Sequence, residues 1–161
     1  MSGNQVVSRE EWLKARKEHL AEEKDFTRQR DKLSQARREL PWVKIDEDYI
    51  FDGPAGPQSL SDLFDGKSQL IVQHFMYGPD WSEGCPSCSF WADGFDGFVV
   101  HLAQRDVTMI VVSSATVDIL EAYKSRMGWG FQWVSSLGNS FNQDYGVTFT
   151  EDEQAAGPVN Y

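Results

Sequence analysis

Two apolar, β-branched runs, Gln69 to Tyr77 (QLIVQHFMY) and Val107 to Ser114 (VTMIVVSS), constrain this chain more than any other feature. Runs of this length, with little of the polar alternation of a half-exposed strand, predict buried strands, and buried strands belong to parallel sheets covered by helices. Between them, Pro86 to Arg105 has helical character, with Phe90, Trp91, Phe95, Phe98, Leu102 and Ala103 recurring mainly at three- and four-residue steps. Gly94 and Gly97 predict a weakening or kink there, about 1 kcal/mol each relative to Ala in a helix interior. Thr116 to Met127 is a second predicted helix, with Val117, Leu120, Tyr123 and Met127 on one side, and Phe131 to Ser135 a third predicted strand. The order strand, helix, strand, helix, strand predicts an α/β fold with a parallel sheet and right-handed crossovers.

What precedes this pattern is different in kind. Residues 8–40 contain no Gly or Pro, Ser8 and Glu11 fit the S-x-x-E capping box, and Pro41 follows, which predicts one long helix. Its apolar residues are sparse: Leu13 and Leu20 are seven apart, as are Phe26, Leu33 and Leu40, with a step of six between the two sets. So thin a stripe fits a helix lying across its own domain, or an arm that packs on a second copy as a homodimer. The chain therefore divides into an N-terminal helical arm, residues 1–42, and a sheet domain, residues 43–161. Within the second part, Val43, Ile45 and Tyr49 to Phe51 predict two short strands or one bent one, and Asp52 to Pro57 a run of turns. Ser59 to Phe64 fits a single helical turn, and Glu151-Asp152-Glu153 a solvated turn.

Charge narrows the partners. The 161 residues hold 15 Lys+Arg and 25 Asp+Glu, a formal charge of −10. Residues 8–40 contribute 10 basic and 8 acidic side chains, so the remainder carries 5 basic and 17 acidic, and the part with the sheet repels phosphate backbones. Nucleic-acid binding is excluded on that ground. No run approaches the roughly 20 apolar residues of a membrane-spanning helix, so no membrane partner is expected. The N-terminal MSGNQVVSREEW lacks the basic and apolar regions of a secretion signal, so the expected location is the cytoplasm.

The only two cysteines share one tetrapeptide, Cys85-Pro86-Ser87-Cys88, between a predicted strand and a predicted helix. In a cytosolic chain that spacing and context point to redox chemistry. At a helix start, unsatisfied N–H groups favour a thiolate, which casts Cys85 as the attacking nucleophile. Pro86 fits the first helical position, where its missing N–H costs nothing. Cys88, one turn on, is placed to attack a mixed disulfide on Cys85 and release the product. Zinc would need further ligands, and only His19, His74 and His101 are available, with no second C-x-x-C, so no metal is expected. His74, on the first apolar strand, reads as a hydrogen-bonded core histidine close enough in sequence to test as a base. Asp80 and Glu83 would raise the Cys85 pKa if close to it, or take a proton from Cys88. Trp81 and Trp91 bracket the pair as an aromatic wall or as core; Ser87 lies between the cysteines.

His74 to Asp93 (HFMYGPDWSEGCPSCSFWAD), with Arg105 to Ala115 and Arg126 to Ser136, resembles a bacterial family of thioredoxin-like proteins, catalogued as a domain of unknown function and described as predicted dithiol–disulfide oxidoreductases. The resemblance covers nearly the whole chain, and the G-C-P-S-C-S-F run is its most specific part. It implies a thioredoxin-like sheet with flanking helices and Cys85 and Cys88 as the redox pair. Two departures stand out. Thioredoxins carry Trp just before the first cysteine, where this chain has Gly84. A thioredoxin fold also ends in a β-hairpin and helix with a cis-proline facing the disulfide; here Pro158 is the only proline after the motif helix, so the C-terminal hairpin is expected to be missing or short. Asn139 to Thr150 also resembles the Y-G-V stretch of peroxiredoxins, but Pro79 lies six rather than seven residues before Cys85, and Gly84, not Thr, lies next to the cysteine. The expected function is thiol–disulfide exchange on a protein or low-molecular-weight thiol or disulfide, without metal or organic cofactor. The alternatives are a non-catalytic thioredoxin-like interaction module and a peroxiredoxin-like peroxide reductase.

Overall fold

In the computed structural model, which describes residues 3–157, Ser8 opens the chain's longest element, helix α1 (Arg9–Arg38). The Ser8 hydroxyl accepts the Glu11 N–H at 3.2 Å, and the Glu11 carboxylate accepts from the Ser8 N–H at 2.9 Å, so the capping box closes reciprocally. Arg37 and Arg38 occupy the last turn, where positive charge complements the carbonyl end of the helix. None of the 30 residues of α1 is buried, so its own backbone ladder and caps define it. The described residues up to Asp46 form one compact unit and those from Glu47 a second. No strand forms over residues 41–49: Trp42 and Val43 are exposed, and without a partner ladder Val43 and Ile45 have nothing to pair with.

In the second unit the stretch read as turns is a hairpin. Strand β1 (Ile50–Gly53) pairs antiparallel with β2 (Gly56–Ser59) around Pro54-Ala55. Gly56 has φ +112°, a conformation closed to side chains, which is why the turn ends on glycine. Pro57 is tolerated because β2 is an edge strand. A single 3-10 turn, Asp62–Phe64, then leads to β3 (Gln69–His74). Helices α2 (Pro86–Ala92) and α3 (Phe95–Ala103) cross to β4 (Val107–Ser113), and α4 (Val117–Met127) crosses to β5 (Gln132–Ser135). The sheet order is β2-β1-β5-β4-β3, with β3, β4 and β5 parallel as the strand and helix order predicts, and β1 antiparallel to β5.

The two-residue period of the strands sorts the core onto the two faces. Val111 of β4 and Trp133 of β5 join a cluster with Phe75, Tyr77, Tyr123, Trp129 and Cys88. Ile110, Val112 and Val134 join another with Tyr49, Phe51, Leu63 and Phe141. The predicted helix over 86–105 breaks at Asp93-Gly94, and the break is pinned: Asp93 accepts the Trp129 indole N–H at 3.0 Å and Asp96 the Gly130 N–H at 2.7 Å.

After β5 come two short helices, α5 (Phe141–Asp144) and α6 (Glu151–Ala155). Phe141 is buried edge-on to Phe51 and Tyr49, with ring centroids 4.9 and 5.1 Å away, and this anchors α5 against the sheet. The acidic run Glu151 to Glu153 is not a solvated turn but the first turn of α6: Thr150 and Glu153 form a second capping box, and acidic side chains are favoured there. Among the described residues no strand follows β5. Pro158 lies outside the described residues.

Candidate functional site

The site begins where β3 ends. Beyond His74 the chain stays held to its neighbours, with the Phe75 N–H donating to Val112 at 2.8 Å and the Cys85 N–H returning to the Met76 carbonyl at 3.0 Å. The loop between them therefore leaves and re-enters beside the same strand end. Gly84 makes the return possible. A Cβ there would stand 2.8 Å from a Phe75 ring carbon and 3.2 Å from one of Tyr123, both rings being buried. No side chain fits, which is the physical reason that no Trp precedes Cys85. On the outer side Arg126 pairs with Glu83, one bond at 2.9 Å, and stacks 4.5 Å over the Tyr123 ring, so α4 clasps the loop.

Cys85 caps α2, Pro86 takes its first turn, and Ser87 is exposed between the cysteines. The Cys88 backbone N–H is the largest cause of a Cys85 pKa below the ordinary thiol value; partial burial opposes it, and the Cys88 thiol and the Ser87 N–H add to the lowering. Because α2 is only seven residues long, these aimed N–H groups, rather than a long helix dipole, do the work. Cys88 is buried, and burial pushes its pKa up against a stabilising Met76 N–H, with the Cys85 sulfur beside it adding to the rise. The shifts are opposite: the outer thiol ionises first and the inner one holds its proton. Ser89 fixes the turn between them, its hydroxyl donating to the Cys85 carbonyl at 3.0 Å and sharing a buried 2.9 Å hydrogen bond with the Tyr123 hydroxyl. The two cysteines are unbridged.

Cys88 also opens onto a groove of about 650 Å³ at the end of β3, lined among others by His74, Met76, Trp81, Asn142 and Phe149. His74 is thus not a core histidine but part of the groove wall, half-buried, stacked at 5.4 Å on Phe141 and bonded through Nδ1 to Asn142 Oδ1 at 3.2 Å. Burial holds its pKa below the usual histidine value, with the Asn142 bond opposing. Trp81 is half exposed and lines the groove; Trp91 stands exposed on α2 and does not, so the pair is neither a single wall nor core. Asp80 is exposed, and the Glu83 carboxyl is held below its usual pKa by the Arg126 hydrogen bond, its charge spent there rather than on Cys85. Among the described residues no Asp, Glu, Lys or Arg lines the groove. Among the described residues no three His, Cys, Asp or Glu side chains gather where a metal ion would sit. Asn142, Thr148 and Gln154, which close the groove, carry no motif of their own in sequence; for Asn142 and Thr148 the Y-G-V resemblance over Asn139 to Thr150 was the available signal, and for Gln154 there was none.

Comparison with known proteins agrees with this architecture. The model of a bacterial family, described as bacterial protein of unknown function (DUF899), matches residues 1–160. No curated protein matches the chain in sequence. Among solved structures, a candidate thiol:disulfide interchange protein DsbE from Chlorobium tepidum superposes with a TM-score of 0.50 at 14% identity, over 68% of this chain and 72% of that one. A hypothetical protein of Sinorhizobium meliloti 1021 gives a TM-score of 0.50 at 16% identity, over 66% of this chain and 60% of its own. PrxQ of Xylella fastidiosa gives 0.46 at 17% identity, over 66% and 67%. The fold is thioredoxin-like. No helix among the described residues is long and apolar enough to cross a membrane.

Proposed function

We propose that this chain, which belongs to the bacterial family of unknown function DUF899, is a dithiol–disulfide oxidoreductase that cycles Cys85 and Cys88 on a protein or low-molecular-weight thiol or disulfide. One observation carries the reading: the Cys88 and Ser87 N–H groups favour the thiolate of Cys85, while burial keeps Cys88 protonated one turn away. The Cys85 thiolate attacks one sulfur of a substrate disulfide, forming a mixed disulfide and expelling the other sulfur as a thiolate that takes up a proton. Cys88 then loses its proton and attacks Cys85, forming the Cys85–Cys88 disulfide and expelling the second substrate thiol. The substrate disulfide gains two electrons and the cysteine pair loses two. In the reverse direction the Cys85–Cys88 disulfide oxidises a substrate dithiol through the same mixed disulfide.

The groove supports the reading by offering apolar surface, from Met76, Trp81 and Phe149, next to the thiol that completes the exchange. The test is covalent trapping. Cys85→Ser abolishes turnover and traps nothing, whereas Cys88→Ser accumulates a mixed disulfide that dithiothreitol releases. Equal trapping by both variants overturns the assigned roles, and failure of the purified pair to reach a reversible two-electron equilibrium with glutathione overturns the function.

A further inference from the structure

Completion of the exchange requires Cys88 to give up a proton from a buried position, and nothing in the steps above says where the proton goes. We propose, resting on the oxidoreductase reading, that His74 accepts the Cys88 proton through the groove when the mixed disulfide on Cys85 is resolved, and that Asn142 positions the imidazole for it.

Three observations carry this. First, His74 and Cys88 line the same groove, and Cys88 receives the backbone N–H of Met76, two residues beyond His74 in the chain. The groove is open enough for water to relay a proton between them, with Ser114, Gln73 and Asn142 among the lining groups to hold it. Second, the Asn142 bond sets the tautomer. An amide oxygen only accepts, so Oδ1 at 3.2 Å from Nδ1 requires the proton on Nδ1 and leaves the lone pair on Nε2. Stacking on Phe141 keeps the ring from turning over.

Third, the competing groups are accounted for. The remaining ionisable side chain of the lining is Tyr77, whose buried hydroxyl is pushed above the usual tyrosine pKa and stays protonated at neutral pH. Tyr145 of the segment after α5 packs 6.3 Å from the imidazole. The neighbouring Asp144 carboxylate is engaged by Tyr49 at 2.8 Å and by Ser140 at 2.6 Å. From β4, Val112 pairs with His74 and carries no charge. Beside Cys88 the other titratable group is Cys85, which is spent in the mixed disulfide. Burial keeps the imidazole neutral around pH 7, the form that accepts a proton.

The step balances as follows. Nε2 of His74 takes the proton from Cys88 by way of water; the Cys88 thiolate forms the S–S bond to Cys85 as the bond from Cys85 to the substrate sulfur breaks. The expelled thiolate then recovers the proton from the imidazolium.

Single turnover of the full chain with dithiodipyridine, an uncharged aromatic disulfide, separates the two events. The first equivalent of thiopyridone reports attack by Cys85, and the second reports attack by Cys88. In His74→Gln the second release slows by on the order of tenfold to a hundredfold, while the first changes by less than about twofold. In Asn142→Asp the added carboxylate holds the imidazolium, so the pH midpoint of the second release moves upward by about one unit. An unchanged second release in His74→Gln overturns the proposal. Equal slowing of both releases, or an unmoved midpoint in Asn142→Asp, also overturns it, since either marks a purely structural role. Absence of any second equivalent in the unsubstituted protein overturns the oxidoreductase reading itself, and is thereby distinct from failure of the histidine's role.

Discussion

Helix α1 and the segment from β3 to α2 are built on opposite terms. In α1 the hydrogen bonds lie within the helix and at its caps, no residue is buried, and Phe26 and Leu33 stand in the open. From His74 to Ser89 hardly any regular structure exists, yet nearly every group is placed by something distant in sequence: Gly84 by Phe75 and Tyr123, Ser89 by Tyr123, Glu83 by Arg126, His74 by Asn142. Local rules suffice for the first region. For the second they specify little beyond the order of the residues, and the chemistry depends on the remainder of the fold.

That contrast breaks most visibly under truncation of Trp133. This side chain is buried in the cluster that backs the cysteines and donates its indole N–H to Ser113 at 3.0 Å. Trp133→Ala is expected to destabilise the second unit by about 3–5 kcal/mol, read as the midpoint of urea unfolding by tryptophan fluorescence. Reactivity comes next. Against pH, iodoacetamide modifies Cys85 with a midpoint below that of a free thiol, and Cys88 with one above it; in urea both return to about 8.5. Two midpoints that coincide in the folded protein would remove the asymmetry on which the function rests.

Gly84→Ala is expected to cost about 1–3 kcal/mol, because the new methyl meets two buried rings that have no room to yield, and to slow modification of Cys85. Ser8→Ala is smaller, about 1 kcal/mol, and is confined to fraying of the first turn of α1, seen as faster amide exchange at residues 9–12. Smallest is Leu33→Ala: at an exposed site in a helix it shifts stability by no more than about 0.5 kcal/mol. A large loss there would mean that α1 is not as self-sufficient as its hydrogen bonds make it.

Much of the fold was legible in the sequence where the signal is local or periodic. Ser8, Glu11 and Pro41 bound the long helix, and the runs beginning at Gln69 and Val107 mark two strands of the parallel sheet. Ile50 and Phe51 read as strand and open β1, but β2 was not legible, because Gly and Pro read as turns until a neighbouring strand supplies the ladder; nor was α6, whose acidic first turn looks like simple solvation. Val43 and Ile45 erred the other way, having β-propensity without a partner.

For the site, the sequence by itself determined the two sulfurs, their spacing and the proline that starts α2, since these depend on neighbours within one turn. Only the tertiary structure decided that Cys88 is buried and holds its proton, that Gly84 stands where two rings leave no room for a side chain, and that His74 faces the same groove as Cys88. It also brought in Asn142, 68 residues away from His74, which no motif marked. The physical reason is that burial and long-range hydrogen bonds set a group's proton affinity and tautomer, and neither is a property of the residues beside it in the chain.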